Sequence, residues 1–268
     1  MSLMRRLDQA RKGYATGNKE ASAQAHAPER ISQAAKEEHG RASDQYIGNM
    51  VYGGLDGIVT TFAVVSGVAG AQLGSHVVLI LGLANLLADG FSMAIGSYLS
   101  AKSQREYYER EKTREAWEVE HFPEGERAEL LQVYRSRGYT EEDAQQLVAI
   151  QSRVPERWIK AMMIDELGLT NDERKPLVSA LATFLAFVLA GSIPLGVYLT
   201  GLVTPIPPTV AFQASLGLSA GALFGLGAAK VFITERNFFK SGMEMLVVGG
   251  FAAGVAYVVG ALLKGIGG

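Results

Sequence analysis

From Pro176 to Ala229 the chain reads PLVSALATFLAFVLAGSIPLGVYLTGLVTPIPPTVAFQASLGLSAGALFGLGAA, which is 54 residues without a charged side chain. A helix of a water-soluble domain keeps one charged, solvated face. This stretch offers none. Thr204-Pro205-Ile206-Pro207-Pro208 interrupts it, because proline lacks an amide donor and cannot continue a helix. The two pieces, about 177–200 and 209–231, each reach the roughly 20 apolar residues that cross a bilayer.

The same pattern appears elsewhere. Residues 45–100 hold two charges, Asp56 and Asp89, and Gly74-Ser75-His76 divides them into spans of about 46–72 and 77–100. A fifth charge-free run covers 245–263, 19 residues. The reading is an all-α polytopic membrane protein with five transmembrane helices. Residues 1–44 carry 8 basic and 6 acidic side chains, and residues 101–176 carry 13 and 17. The averages over all 268 residues, 48% apolar and net charge −2, conceal this partition. A near-zero net charge gives no basic footprint for nucleic acid. The absence of Cys excludes disulfides, Cys-zinc sites, iron–sulfur clusters and thiol catalysis. A polar start of 44 residues is no cleavable signal. Its low apolar content predicts a flexible extension or a loose amphipathic helix.

Lys and Arg orient membrane proteins, with the basic loops inside. Five spans put the N-terminus, residues 101–176 and the 232–241 loop on one side, where 24 of the 25 basic residues then lie, counting Lys230. The expected topology has residues 1–44 and 101–176 in the cytoplasm and the C-terminus outside. The membrane would be the plasma membrane of a bacterium or a vacuolar-type membrane of a eukaryote.

Residues 101–176 read as an inserted helical domain. A charged helix, 101–120, continues the second span. His121-Phe122-Pro123 turns the chain, and helices follow at about 124–137, 141–152 and 156–168. Thr140 with Asp143 makes an N-terminal cap, Pro155 opens the last helix and Gly168 closes it. Glu115 and Glu118 are i,i+3 on one helix, and Glu126 and Glu129 repeat that spacing across the turn. Antiparallel helices would bring the four carboxylates together, and convergent carboxylates repel unless a cation lies between them. Met162, Met163 and Glu166 sit together on the last helix. Glu oxygens with a Met thioether point to Fe(II), Mn(II), Co(II) or Zn(II) rather than Mg or Ca. Glu pairs also serve as partners for Lys and Arg on solvated faces, and Met is a frequent core filler. Spacing leaves both readings open. A ferritin-like di-iron bundle needs a Glu-x-x-His from each of two helices, a pair this chain lacks.

A carboxylate at mid-membrane costs about 2.5 kcal/mol or more on insertion scales. Asp56 and Asp89 should therefore face a bundle interior or a wet path. Asn85, Asp89 and Met93 recur every four residues and share a helix face, which reads as a cation path with a carboxylate able to exchange protons. Gly217, Gly221 and Gly225, and again Gly250 and Gly254, form small-residue stripes suited to close helix packing, within a subunit or between subunits. Glu235, Met243 and Glu244 flank the last two spans as weaker ligand candidates.

Three separated motifs resemble the vacuolar iron transporter family. They are Tyr52-Gly53-Gly54-Leu55-Asp56-Gly57-Ile58-Val59-Thr60-Thr61-Phe62, then Ala88-Asp89-Gly90-Phe91-Ser92-Met93 with Tyr98-Leu99-Ser100, and then Met162-Met163-Ile164-Asp165-Glu166-Leu167-Gly168-Leu169. The resemblance spans about 46–264. It implies a five-helix, homodimeric exporter of Fe(II) and similar metals driven by proton exchange, not an enzyme and with no permanently bound cofactor. It also implies a metal-binding set of Glu115, Glu118, Glu126, Glu129, Met162, Met163 and Glu166, and a translocation path through Asp56 and Met93. Two other readings of the same residues are a membrane-anchored metal-binding or sensing protein without flux, and a membrane oxidase of Fe(II).

Overall fold

The computed structural model describes residue 10 and residues 12–35, 42–172, 174–229 and 237–265. Described residues form helices and connecting turns, with no strand among them. The chain divides into two compact units, residues 1–47 and 48–268. In the first, α1 (Lys19–Ala25) is capped by Asn18, whose side chain accepts from the Ala21 amide at 3.0 Å. Pro28 opens α2 (Pro28–Ala35).

Helix α3 (Ala42–Gly70) leads into the second unit. Helix α4 (Ser75–His121) runs unbroken for 47 residues, about 70 Å at 1.5 Å per residue. That is more than twice the roughly 30 Å of bilayer hydrocarbon, so its charged second half projects beyond the apolar first half. Helices α10 (Pro208–Ala229) and α11 (Phe238–Leu263) complete a set of four, among the described residues, that are long and apolar enough to cross a membrane.

The stretch expected as a single span over 177–200 is divided. Helix α8 (Pro176–Gly191) has 16 residues and is followed by turns and the short α9 (Gly196–Thr200). Pro194 brings no amide donor to the turn. Its carbonyl is satisfied from another helix, by Ser215 Oγ of α10 at 2.6 Å. Irregular backbone at membrane depth survives only with such partners.

Helices α3 and α8 touch backbone to backbone. A methyl group on Gly53 would lie 2.6 Å from the Thr183 carbonyl oxygen, and one on Gly57 would collide with the Phe187 carbonyl. Gly67 and Gly260 make the same kind of crossing between α3 and α11. By contrast, Gly217, Gly221, Gly225, Gly250 and Gly254 meet nothing within 4 Å. The predicted stripes therefore face away from the other described residues, and other glycines perform the close packing among these helices. Val65, Leu86, Phe187, Leu195 and Tyr198 form the core between these helices. Outside it, Leu181, Leu185, Leu189, Val247, Phe251, Val258 and Leu262 are exposed. Apolar patches of this extent are not left in water, and a bilayer covers them.

Beyond the apolar helices, α5 (Pro123–Ser136), α6 (Glu141–Gln151) and α7 (Pro155–Ala161) pack with the end of α4 around Val119, Leu130, Tyr134, Ala144, Val148, Trp158 and Met162. Pro123 sits in the first turn of α5, and Thr140 Oγ1 accepts from the Asp143 amide at 3.2 Å. Helix α7 continues into a π-helical turn, Met162–Glu166.

Candidate metal centre and membrane path

The Pro123 turn folds α5 back along α4, and five carboxylates meet. One oxygen each from Glu115, Glu118 and Glu126 lie within 4.8 Å of one another, and the same holds for Glu126, Glu129 and Glu166. Glu126 belongs to both groups. Glu115 is 1% exposed and Glu126 is 4% exposed. Oε2 of Glu115, Glu126 and Glu166 is buried without a hydrogen-bond partner. Lone acceptors in a dry site are costly, and a cation placed among them would remove that cost. The donor set thus fits a divalent ion.

Glu166 reaches the cluster from the π turn, where the Leu167 amide bonds the Met162 carbonyl at 3.1 Å. Such turns insert an extra residue into a helix and re-aim side chains. Asp165 pins this one. Arg137 donates to its carboxylate at 2.5 Å and to its carbonyl at 2.8 Å, and the Tyr134 hydroxyl donates at 3.3 Å. Met162 and Met163 are fully buried, with Met162 part of the apolar core around Leu130 and Trp158.

Among the described residues, Arg114 reaches the acidic groups directly. It bonds Glu115 at 2.5 Å, Glu111 at 3.0 Å, and Glu118. The remaining charge is relieved by protons. Burial, then the carboxylates of Glu115 and Glu129, push the Glu126 carboxyl up to about 8. Burial, then the same neighbours, push Glu166 up to about 7. Burial also raises Glu115, with Arg114 opposing it. A cation arriving here displaces protons.

Glu118 and His121 form a single Glu-x-x-His spacing. His121 does not join the cluster: its Nδ1 lies 2.8 Å from the Trp117 carbonyl and its ring stacks on Trp117.

Asp56 on α3 and Asn85, Asp89 and Met93 on α4 are each half-buried. The two aspartates lie within Coulombic reach of each other. Asn85 Nδ2 is buried without a partner. Met93 borders a cavity of about 370 Å³ with Asn49, Ser97, Ser179 and Thr183. Asn49 Nδ2 donates to Ser97 Oγ at 2.9 Å and to Thr183 Oγ1 at 3.3 Å, tying α3, α4 and α8 together. Sequence reasoning missed this trio, because its members come from three helices and share no spacing. Met243 and Glu244 stand near the start of α11, with Met243 exposed. Glu235 and Lys230 lie outside the described residues.

Residues 47–261, most of the chain, match the VIT family. The chain belongs to the VIT family. A vacuolar iron transporter of Toxoplasma gondii is 39% identical to this VIT-family chain, covering 97% of it and 89% of the relative. A vacuolar iron transporter of Plasmodium falciparum is 34% identical over 80% and 81%. Vacuolar iron transporter 1 of Arabidopsis thaliana is 33% identical over 82% and 87%. As a VIT-family member the chain is a multi-pass membrane protein of a metal-transporting family.

Proposed function

We propose that the chain exports divalent transition metal from the cytoplasm, Fe(II) first and Mn(II) beside it, in exchange for protons. The observation that most supports this is the run of α4. One helix carries both the carboxylate cluster and the Asn85–Asp89–Met93 face. The relatives' name, vacuolar iron transporter, supports iron as cargo.

In this reading the cytoplasmic cluster collects the ion. Glu115, Glu118, Glu126, Glu129 and Glu166 supply oxygens, and by the family resemblance Met162 and Met163 add thioethers for a softer ion. Loading releases the protons that Glu126 and Glu166 hold near neutrality. The ion then passes to Asp56 and Met93. Protonation of Asp56 from the far side weakens its hold and frees the ion, because metal and proton compete for one carboxylate. Two copies make the working unit, as the family resemblance implies, and the outward-facing Gly217–Gly225 and Gly250–Gly254 stripes suit such a contact.

The test is metal flux into proteoliposomes by the parent protein and by Asp56→Ala. The reading expects flux in the parent and its loss in the variant, with metal binding at the cluster retained. Equal flux in both would remove Asp56 from the path. Binding without flux in the parent would leave a membrane-anchored metal-binding protein.

A further inference from the structure

Between the cluster and Met93 lies a distance that neither set of ligands covers. Met93 and Glu115 are 22 positions apart on α4, about 33 Å along the helix. A line of residues with polar or thioether side chains runs along one face of α4: Asn85, Asp89, Met93, Ser97, Gln104, Tyr108, Glu111 and Glu115 follow one another in steps of four, apart from seven between Ser97 and Gln104 and three between Tyr108 and Glu111. Steps of three and four, or their sum, hold a helix face.

Two cavities lie along that face. The outer, about 510 Å³, is bordered by Tyr107, Tyr108 and Asp172, and the inner is the 370 Å³ space beside Met93. Gln104 and Arg174 border both, so the two adjoin. Asp172 grips the Arg174 guanidinium with contacts of 2.6 to 2.9 Å. That carboxylate offsets the positive charge at the junction.

Among the described residues the wall of the inner cavity holds no carboxylate, and its polar groups are neutral apart from Arg174. Thr183 gives its proton to the Ser179 carbonyl at 2.9 Å and accepts from Asn49. Ser179 lines the space, and its buried Oγ has no partner among the described residues. Neutral oxygens cannot replace the hydration shell of a divalent cation, but they can accept hydrogen bonds from it. Six waters at about 30 Å³ each need about 180 Å³. The cavity holds such a shell with room to spare.

We propose that this inner cavity is a waiting site for a hydrated divalent cation, held through its water shell by Asn49, Ser97 and Ser179. The inference rests on the transport reading and adds an intermediate stop to it. Water is stripped only at the next step, at Met93 and the aspartates. Mg(II), which dehydrates reluctantly, enters the waiting site and goes no further. Selection by softness is thereby separated from access.

The chain has no native Cys, so Ser97→Cys places a single thiol in the cavity wall. The full-length variant in detergent is treated with a cationic methanethiosulfonate reagent, with and without Mn(II) or Mg(II). The proposal expects labelling, slowed about fivefold by either ion at four times its Kd. A thiol that does not label, or one whose labelling neither ion slows, overturns the site. Protection by Mn(II) alone overturns the hydrated occupant. If Ser97→Cys fails to fold, judged by loss of Mn(II) binding at the carboxylate cluster, Ser179→Cys takes its place with the same outcomes. Flux of the parent protein is measured alongside. Absent flux with protection intact breaks the transport reading and leaves the cavity site standing.

Discussion

The carboxylate cluster and the membrane path solve opposite problems with related residues. The cluster gathers five carboxylates, two of them almost fully buried, with Arg114 bonded to Glu115 and Glu118. The path has two half-buried aspartates, an amide and a thioether, and no Lys or Arg in α3 or in the first half of α4. A dense acidic site holds an ion strongly and gives it up slowly. A sparse one holds it weakly, as an ion in transit requires. In the proposed reading, ligand density more than ligand type divides collection from passage.

The sharpest way to break that contrast is Asp56→Asn. It should abolish flux, a drop of about a hundredfold or more where a charge-stabilising group is lost, and leave cluster affinity for Mn(II) unchanged by titration calorimetry. Glu126→Gln comes next, because Glu126 serves both carboxylate groups. Its cluster affinity should fall by more than about tenfold, and by more than in Glu118→Gln or Glu129→Gln, each of which touches one group. Flux at saturating metal should fall less than affinity does.

The third prediction concerns pH. Glu126 and Glu166 ionise near 8 and 7 in the fold, against an ordinary value of 4.5. Between pH 4.5 and 8 the folded state thus binds more protons than the unfolded chain, so metal-free stability should fall as pH rises through that window. Metal affinity should rise over the same range, because loading displaces those protons. Thermal unfolding at pH 6 and 8, with and without Mn(II), checks both signs. Metal should raise the unfolding temperature more at pH 8. The smallest effect belongs to Arg137→Ala, which frees Asp165 and the π turn. It should weaken metal binding about tenfold, as loss of a residue that orients a ligand does, with Glu166→Gln adding little on top.

Much of this was legible in the chain. Charge density alone separated the apolar helices from the rest, since a bilayer-facing helix leaves no surface for charge. The Pro123 turn and the Thr140 cap were visible because proline and a capping hydroxyl act locally. The break in the third apolar stretch was half visible: Pro194 stands in the sequence, but the Ser215 bond that makes the break tolerable comes from another helix. The glycine stripes were legible as smooth faces, but not as to what packs on them. Regular spacing reports a smooth face and not what covers it: Gly53 and Gly57, also four apart, meet the Thr183 and Phe187 carbonyls, while Gly217, Gly221 and Gly225 meet nothing within 4 Å among the described residues. The π turn had no local signal, because Met162-Met163-Ile164-Asp165-Glu166 suits an ordinary helix and is held by Arg137 from α5. Arg114 was one of several Lys and Arg at helical spacing from a Glu, and only the fold shows which three carboxylates it takes.

The most direct measurement of the central claim follows metal and protons together. Proteoliposomes holding the parent protein and an acidic lumen are given external Fe(II), with lumenal pH and metal recorded at once. The account predicts Fe(II) uptake that stops when the pH gradient is collapsed, and lumenal alkalinisation that rises with each increment of metal taken up. Fe(II) uptake at the same rate without a gradient, or with no proton movement, would contradict it.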